Sequence, residues 1–283
     1  MMSMAKKTKR KILVVGIIAA LIALIIIFYP KKSVAPKNTV LVSSASVAPT
    51  VSSQVLADLK WPSNRTVSVR ILMYHHVGPL PADADDIRKG LTVSTENFDK
   101  QLEQIKNSGF RVATMAGLYE AVAKGEDTSK TIVLTFDDGY DDNFSYAWEA
   151  MKKYDFVGTF FIISGKIGQA EYMTEGQIKE LAAAGNEIGS HTVTHPSLEK
   201  LSSGKLETEL VDSKAALEKL TGRAVISLCY PAGKFSDVVE KAVEQAGYKT
   251  AVTTAAWKPF STDKPFEVPR QRMSDGTDLK KLL

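Results

Sequence analysis

Cysteine and histidine are both scarce in this chain, and acid is missing from its beginning. A single cysteine, Cys229, stands among 283 residues, so no intrachain disulfide can form. Only four histidines are present, which leaves few groups for proton transfer near neutral pH or for binding a transition metal. They fall in two pairs, His75-His76 and His191/His195. No aspartate or glutamate precedes Asp58, whereas Lys6, Lys7, Lys9, Arg10, Lys11, Lys31, Lys32 and Lys37 all do. The formal charge of +4 therefore comes from the N-terminus, and without those eight cations the remainder carries −4. A mildly acidic body is a poor nucleic-acid binder, so no nucleic-acid partner is expected. No repeat of fixed period divides the chain. Its 44% apolar content supports one large domain with an ample core plus an appendage.

The appendage is the N-terminus. Basic residues 6–11 precede Ile12–Tyr29, a run of 18 uncharged residues closed by Pro30, Lys31 and Lys32. At 1.5 Å per residue a helix over that run spans roughly 27 Å, close to a bilayer core, and longer than the apolar region of most secretory signals. Residues 1–32 are expected to be a signal anchor, with the basic cluster in the cytoplasm and the body outside. A long cleaved signal is the alternative, with Ser44-Ala45-Ser46 as its small-residue site, and would give a secreted protein. Residues 33–65, rich in Ser, Val, Ala, Pro and Thr, read as a linker, which leaves 66–283 as the functional domain.

In that domain short apolar runs alternate with helical patterns. Strands are expected at Val67–Tyr74, Phe110–Ala113, Thr131–Phe136, Gly158–Ile163, Glu187–Ser190, Val225–Leu228, Tyr248–Thr253 and Glu267–Met273. Helices are expected at 94–108, 115–123, 143–154, 205–220 and 236–246, with another opened by the Thr174/Gln177 capping box. The alternation implies parallel strands with crossover helices, in an α/β barrel or a doubly wound sheet.

Two stretches carry chemistry. Thr135-Phe136-Asp137-Asp138-Gly139 places adjacent carboxylates at a strand end, where α/β folds do their chemistry. Burying both is costly unless a cation or a proton compensates. His191-Thr192-Val193-Thr194-His195 also follows a strand. Two imidazoles four residues apart on a helical turn suit a divalent metal, and two His plus one carboxylate leave a coordination position open. The acids of Asp137–Asn143 do not match a calcium loop, which wants alternate acids and a glycine at its sixth position. Asp141, Asp142 and Asn143 read as N-terminal caps of the next helix.

Together and in this order, Thr-Phe-Asp-Asp-Gly and His-Thr-Val-Thr-His resemble the family-four carbohydrate esterases, the polysaccharide deacetylases, over roughly Val67 to Met273. The resemblance implies a distorted (β/α) barrel of about seven strands and metal-dependent removal of N-acetyl groups from N-acetylglucosamine polymers. It makes Asp137 the base and Asp138, His191 and His195 the metal ligands. Zn²⁺ is the default ion, with Co²⁺ or Ni²⁺ able to substitute. The implied partners are an acetylated cell-wall or exopolysaccharide and, through the anchor, a membrane, with the catalytic domain extracytoplasmic. No protein partner is inferred.

Two segments depart from the family pattern. Where the family's third motif has an arginine that orients the base, this chain has Cys229-Tyr230-Pro231-Ala232-Gly233, and Arg270 or Arg272 is expected to supply the charge in space. No histidine follows His195 to serve as the late acid. Leu72-Met73-Tyr74-His75-His76-Val77 resembles that acid motif shifted to the N-terminal side, which implies His75 as the general acid, with His76 the alternative. Cys229, in an apolar strand, is a poor nucleophile. Tyr230 and Trp257 are possible substrate or oxyanion contacts, and with Phe260 could stack on sugars or pack in the core. Two other functions stay open: a polysaccharide-binding protein without turnover, since the motif arginine is missing, or a deacylase of O-acetyl esters, lipid-linked sugars or formyl amides.

Overall fold

The computed structural model describes residues 59–283. The basic N-terminus, the run Ile12–Tyr29, Ser44–Ser46 and all but the end of the 33–65 linker lie outside the described residues. Among the described residues no helix is long and apolar enough to cross a membrane.

Among the described residues twelve strands follow one another: β1 (Thr66–Val67), β2 (Arg70–Tyr74), β3 (His76–Val77), β4 (Thr92–Val93), β5 (Arg111–Ala113), β6 (Thr131–Phe136), β7 (Thr159–Ile162), β8 (Glu187–Ser190), β9 (Ser227–Cys229), β10 (Thr250–Ala256), β11 (Phe260–Ser261) and β12 (Val268–Arg272). Seven close into a parallel barrel in the order β2-β12-β10-β9-β8-β7-β6, with β6 returning to β2. Strand β5 joins the N-terminal half of β6 outside this ring. The architecture is the α/β barrel of seven strands, with helices on its outer face.

Strand pairing fixes which side chains look inward. Strands β2 and β6 run in register, with Ile71 opposite Val133 and Met73 opposite Thr135. Ile71, Val133, Phe161, Cys229, Val252 and Val268 share one buried cluster. The alternating residues Leu72, Tyr74, Ile132, Leu134, Phe136 and Phe160 belong to another, packed with helix residues such as Phe98, Leu102 and Ile178. A strand alternates its faces residue by residue, so the inward phase continues from Met73 to His75, from Thr135 to Asp137 and from Val268 to Arg270. Three distant segments thus deliver polar groups to one mouth.

Several elements differ from expectation. The run Val67–Tyr74 is broken at Ser68-Val69, because β1 turns away to pair antiparallel with β11. A helix at Asp86–Leu91 and the β3–β4 pair follow His75 where neither was expected. Two long helices contain π-turns, Asn143–Trp148 and Thr208–Asp212. Each inserts an extra residue that shifts the helical phase.

Candidate active site

At the end of β6, Asp137 is 2% exposed. Its two carboxylate oxygens each accept a 2.7 Å bond from Arg270, from Nη1 and Nη2. The remaining N–H groups of Arg270 are also used: Nη1 donates to Thr135 Oγ1, Nη2 to Cys229 Sγ at 3.2 Å and Nε to the Thr253 carbonyl. Burial alone would raise the Asp137 carboxyl, but the Arg270 ion pair, helped by His75 and His191, holds it far below the carboxylate range. Asp137 is thus an anion at every physiological pH. Cys229 behaves oppositely: burial pushes its thiol up despite the nearby guanidinium, which removes it as a nucleophile.

Asp138 follows in the left-handed region, at φ 74°. That turn swings its carboxylate away from Arg270 and toward the histidines. Its Oδ1 lies 3.4 Å from His191 Nε2 and 3.6 Å from His195 Nε2. Burial opposes its charge, yet His191 and His75 keep the Asp138 carboxyl below its ordinary value. His191 Nδ1 sits 2.7 Å from the Cys229 carbonyl, which can only accept. Nδ1 therefore carries a proton, and Nε2 is the ring atom that faces Asp138 and His195.

The segment joining the two histidines is not the helical turn that their spacing suggested. Thr192 and His195 adopt φ of 68° and 61°, and the imidazole rings meet edge to face at 4.6 Å. Ser164 and Gly165 donate their N–H groups to the Thr192 and Val193 carbonyls. The approach is so close that a Cβ on Gly165 would stand 2.6 Å from the Val193 oxygen. On the other side, the Glu209 carboxylate accepts the N–H groups of Val193 and Thr194 and the Thr194 hydroxyl.

His75 faces this group from β2, with Nε2 3.8 Å from Asp137 Oδ2. Burial lowers its basicity more than Asp137 and Asp138 raise it. His76 points the other way, as the alternation of the strand requires. It is buried, hydrogen-bonded through Nδ1 to Asp142 Oδ2 at 2.7 Å, and stacked on Tyr140 at 3.7 Å.

Residues 124–251 match the family pattern described as polysaccharide deacetylase. Among solved structures, the Streptococcus pyogenes deacetylase PplD, determined in complex with acetate, is 30% identical with a TM-score of 0.71, covering 77% of this chain and 97% of PplD. The Bacillus subtilis (strain 168) protein YxkH is 29% identical over 76% of this chain and 74% of its own length. The peptidoglycan-N-acetylmuramic acid deacetylase PdaA of the same strain is 29% identical over 55% of this chain, which spans only 59% of PdaA.

The chain belongs to the polysaccharide deacetylase family.

For a polysaccharide deacetylase the donor set can be tested against a metal. Two groups of three possible ligands exist among the described residues, Asp138/His191/His195 and Asp137/His191/Cys229. The second fails on charge, because a guanidinium already holds both Asp137 oxygens and the thiol stays protonated. The first fits: ligand atoms around one tetrahedral ion at about 2.0–2.1 Å stand about 3.3–3.4 Å apart, near the 3.4 and 3.6 Å seen here. It also offers one carboxylate and an imidazole whose Nδ1–H is tied to the Cys229 carbonyl, which leaves Nε2 for the ion.

Other expected site residues lie elsewhere. Arg270 alone reaches Asp137, while Arg272, two residues on, is exposed at the end of β12. Tyr230 is fully buried and stacked on Phe235 at 4.8 Å, so its ring is closed to a substrate. Trp257 donates to the Val69 carbonyl at 2.7 Å and lies under Arg70. That is the start of β2, the end opposite His75. Phe260 packs on Trp61 in the core. Asp142 makes no capping bond, since His76 takes its carboxylate. Asp141 accepts from Gln177, and the Asn143 amide donates to the His75 carbonyl at 2.6 Å. Tyr140 was missed from sequence. Its hydroxyl is pushed up by burial and by the Asp138 carboxylate beside it, and its only signal was its place directly after the Asp-Asp-Gly turn.

Proposed function

We propose that this chain is a metal-dependent hydrolase that removes N-acetyl groups from an N-acetylglucosamine-type polysaccharide, of the cell wall or an exopolysaccharide, on the outer side of the membrane. The observation that carries this reading is the convergence, on one barrel mouth, of Asp138, His191 and His195 beside the ion-paired Asp137 and opposite His75. The uncharged run Ile12–Tyr29 supports the extracytoplasmic placement, and the name of PdaA supports a wall polymer.

Asp138, His191 and His195 would hold the ion. When bound, a divalent cation supplies Lewis acidity and acidifies water at neutral pH. Asp137 accepts a proton from the attacking water, whose oxygen bonds to the amide carbon. Arg270 keeps that carboxylate ionised and aimed. His75, on the other side of Asp137, donates a proton to the amine as the C–N bond breaks, so acetate and a free amine leave. The Asn143 amide holds the His75 backbone in place for this.

The binding-only alternative rested on the missing motif arginine, and Arg270 occupies that role in space, which argues against it. Acetate release from N-acetylglucosamine oligomers, wall muropeptides, poly-β-1,6-N-acetylglucosamine and acetylxylan, before and after chelation, tests the proposal. Release from an N-acetylated polymer, lost on chelation and restored by Zn²⁺ or Co²⁺, is expected. Release from acetylxylan alone would favour the O-acetyl esters instead.

A further inference from the structure

The loop that carries His191 and His195 is held in a conformation its own residues do not favour. Thr192 is β-branched and sits at φ 68°, and His195 at 61°. Positive φ is a genuine outlier for a β-branched residue and persists only where surroundings over-determine it. One constraint comes from β7, through the Ser164 and Gly165 bonds. The other comes from the outer helix, whose residues 203–221 are interrupted by the π-turn Thr208–Asp212.

That π-turn is locked from behind. Ser213 Oγ donates to the Glu209 carbonyl at 2.7 Å, and the Tyr248 hydroxyl donates to the Leu210 carbonyl at 2.9 Å. Ser213 Oγ also lies 2.8 Å from Ser190 Oγ, which accepts the Thr192 N–H. The shift in helical phase points Glu209 inward, where it is 9% exposed. Its Oε2 accepts the consecutive N–H groups of Val193 and Thr194 at 2.7 and 2.9 Å, and its Oε1 the Thr194 hydroxyl at 2.5 Å. Successive N–H groups after a left-handed residue form an anion-binding concavity. Here a side-chain carboxylate fills it. Glu209 touches neither imidazole, yet it holds Val193 and Thr194, two of the three residues between them.

We propose that Glu209 is the positioning residue of the metal-binding loop, setting the separation of His191 and His195 for the ion. This rests on the metal reading above. Groups behind a metal's direct ligands commonly change affinity by about 10–100-fold.

The test is Co²⁺ binding by the whole protein, read from its visible absorption and from competition with a chelator, with thermal unfolding of the metal-free protein alongside. Glu209→Ala should bind Co²⁺ about 10–100-fold more weakly, with an altered spectrum and a smaller rise in Tm on adding metal. Glu209→Gln, whose amide oxygen accepts both N–H groups while its NH₂ faces Thr194 Oγ1, should recover most of the affinity. An alanine variant with the wild-type constant and spectrum, and only a lower metal-free Tm, would overturn the inference. If the alanine variant does not fold, Glu209→Asp decides, since one methylene less cannot span to both N–H groups; unchanged affinity there overturns it equally. A wild-type protein without any Co²⁺ band sinks the metal reading and this inference with it, whereas a normal band in every variant sinks this inference alone.

Discussion

Arg270 and Asp137 meet through two parallel 2.7 Å hydrogen bonds, although 133 residues separate them in the chain. Both are buried, and all five guanidinium N–H groups are used. A bidentate guanidinium cannot be imitated by an ammonium. The pair is what allows an anion to sit at the base of a closed barrel mouth.

Removing the cation should therefore be severe. Arg270→Met leaves an unpaired buried carboxylate and is expected to cost about 3–5 kcal/mol at neutral pH. The sign with pH follows from the depressed Asp137 carboxyl. In the wild type the ionised pair stabilises the fold above the ordinary carboxylate range, and is lost only as pH falls toward the depressed value. In the variant, burial without a partner raises Asp137, so protonation relieves the penalty. The stability deficit should shrink from pH 7 to pH 5 in denaturant titrations. A deficit that is constant or grows over that range would show that Asp137 is not the source.

Asp137→Asn separates the base from the ligands. The amide keeps the size of the side chain but cannot accept the water proton. Turnover should fall by about 10²–10⁴-fold while metal content stays at wild-type level, measured on dialysed protein. Loss of metal together with activity would make Asp137 a ligand.

Much of this site was legible in the chain because it follows local rules. The alternation of apolar runs and helical patterns carried the parallel α/β architecture, the family resemblance chose a barrel over a doubly wound sheet, and the strand ends carried Asp137, Asp138 and the two histidine pairs to one rim. What was hidden depends on phase and distance. Arg270 and Arg272 share one strand face, and only depth in the barrel separates them: Arg270 is fully buried beside Asp137, while Arg272 is exposed at the strand end. Glu209 reads as one more polar position on an amphipathic helix, since a π-turn leaves no pattern in spacing. Tyr230 and Trp257 looked available because aromatic residues near a motif carry no mark of which face they occupy. The turn between His191 and His195 looked helical because i and i+4 spacing is shared by a helix and by a loop with two left-handed residues.

Gly165 gives a test of how tightly that loop is held. Glycine is needed there for contact, because a Cβ would lie 2.6 Å from the Val193 carbonyl and 3.3 Å from its side chain. Gly165→Ala should push the loop toward solvent and weaken Zn²⁺ binding by about 10-fold or more. Competition with a chelator measures this. Wild-type affinity would mean that the loop moves without disturbing the imidazoles.

The two adjacent histidines that follow β2, His75 between the strands and His76 opening β3, make opposite predictions, and their environments say why. His75 continues the inward phase of Ile71 and Met73 and lies 3.8 Å from Asp137. It is the one imidazole at the mouth not facing the Asp138 carboxylate within ion-pair range, so it is free to give a proton to the departing amine. His75→Ala should reduce kcat by about 10²–10⁴-fold with metal content and Tm close to wild type. His76 instead continues the outward phase of Tyr74, buried between Asp142 and the Tyr140 ring. His76→Ala leaves the Asp142 carboxylate without its shortest partner and opens a gap under Tyr140. It should cost about 1–3 kcal/mol of stability while retaining most of kcat in the fraction that folds. Both variants, assayed for acetate release at saturating Zn²⁺ with unfolding measured in parallel, decide between the two residues. A dead His76 variant beside an active His75 variant would reverse the assignment, and two active variants would place the acid on another residue.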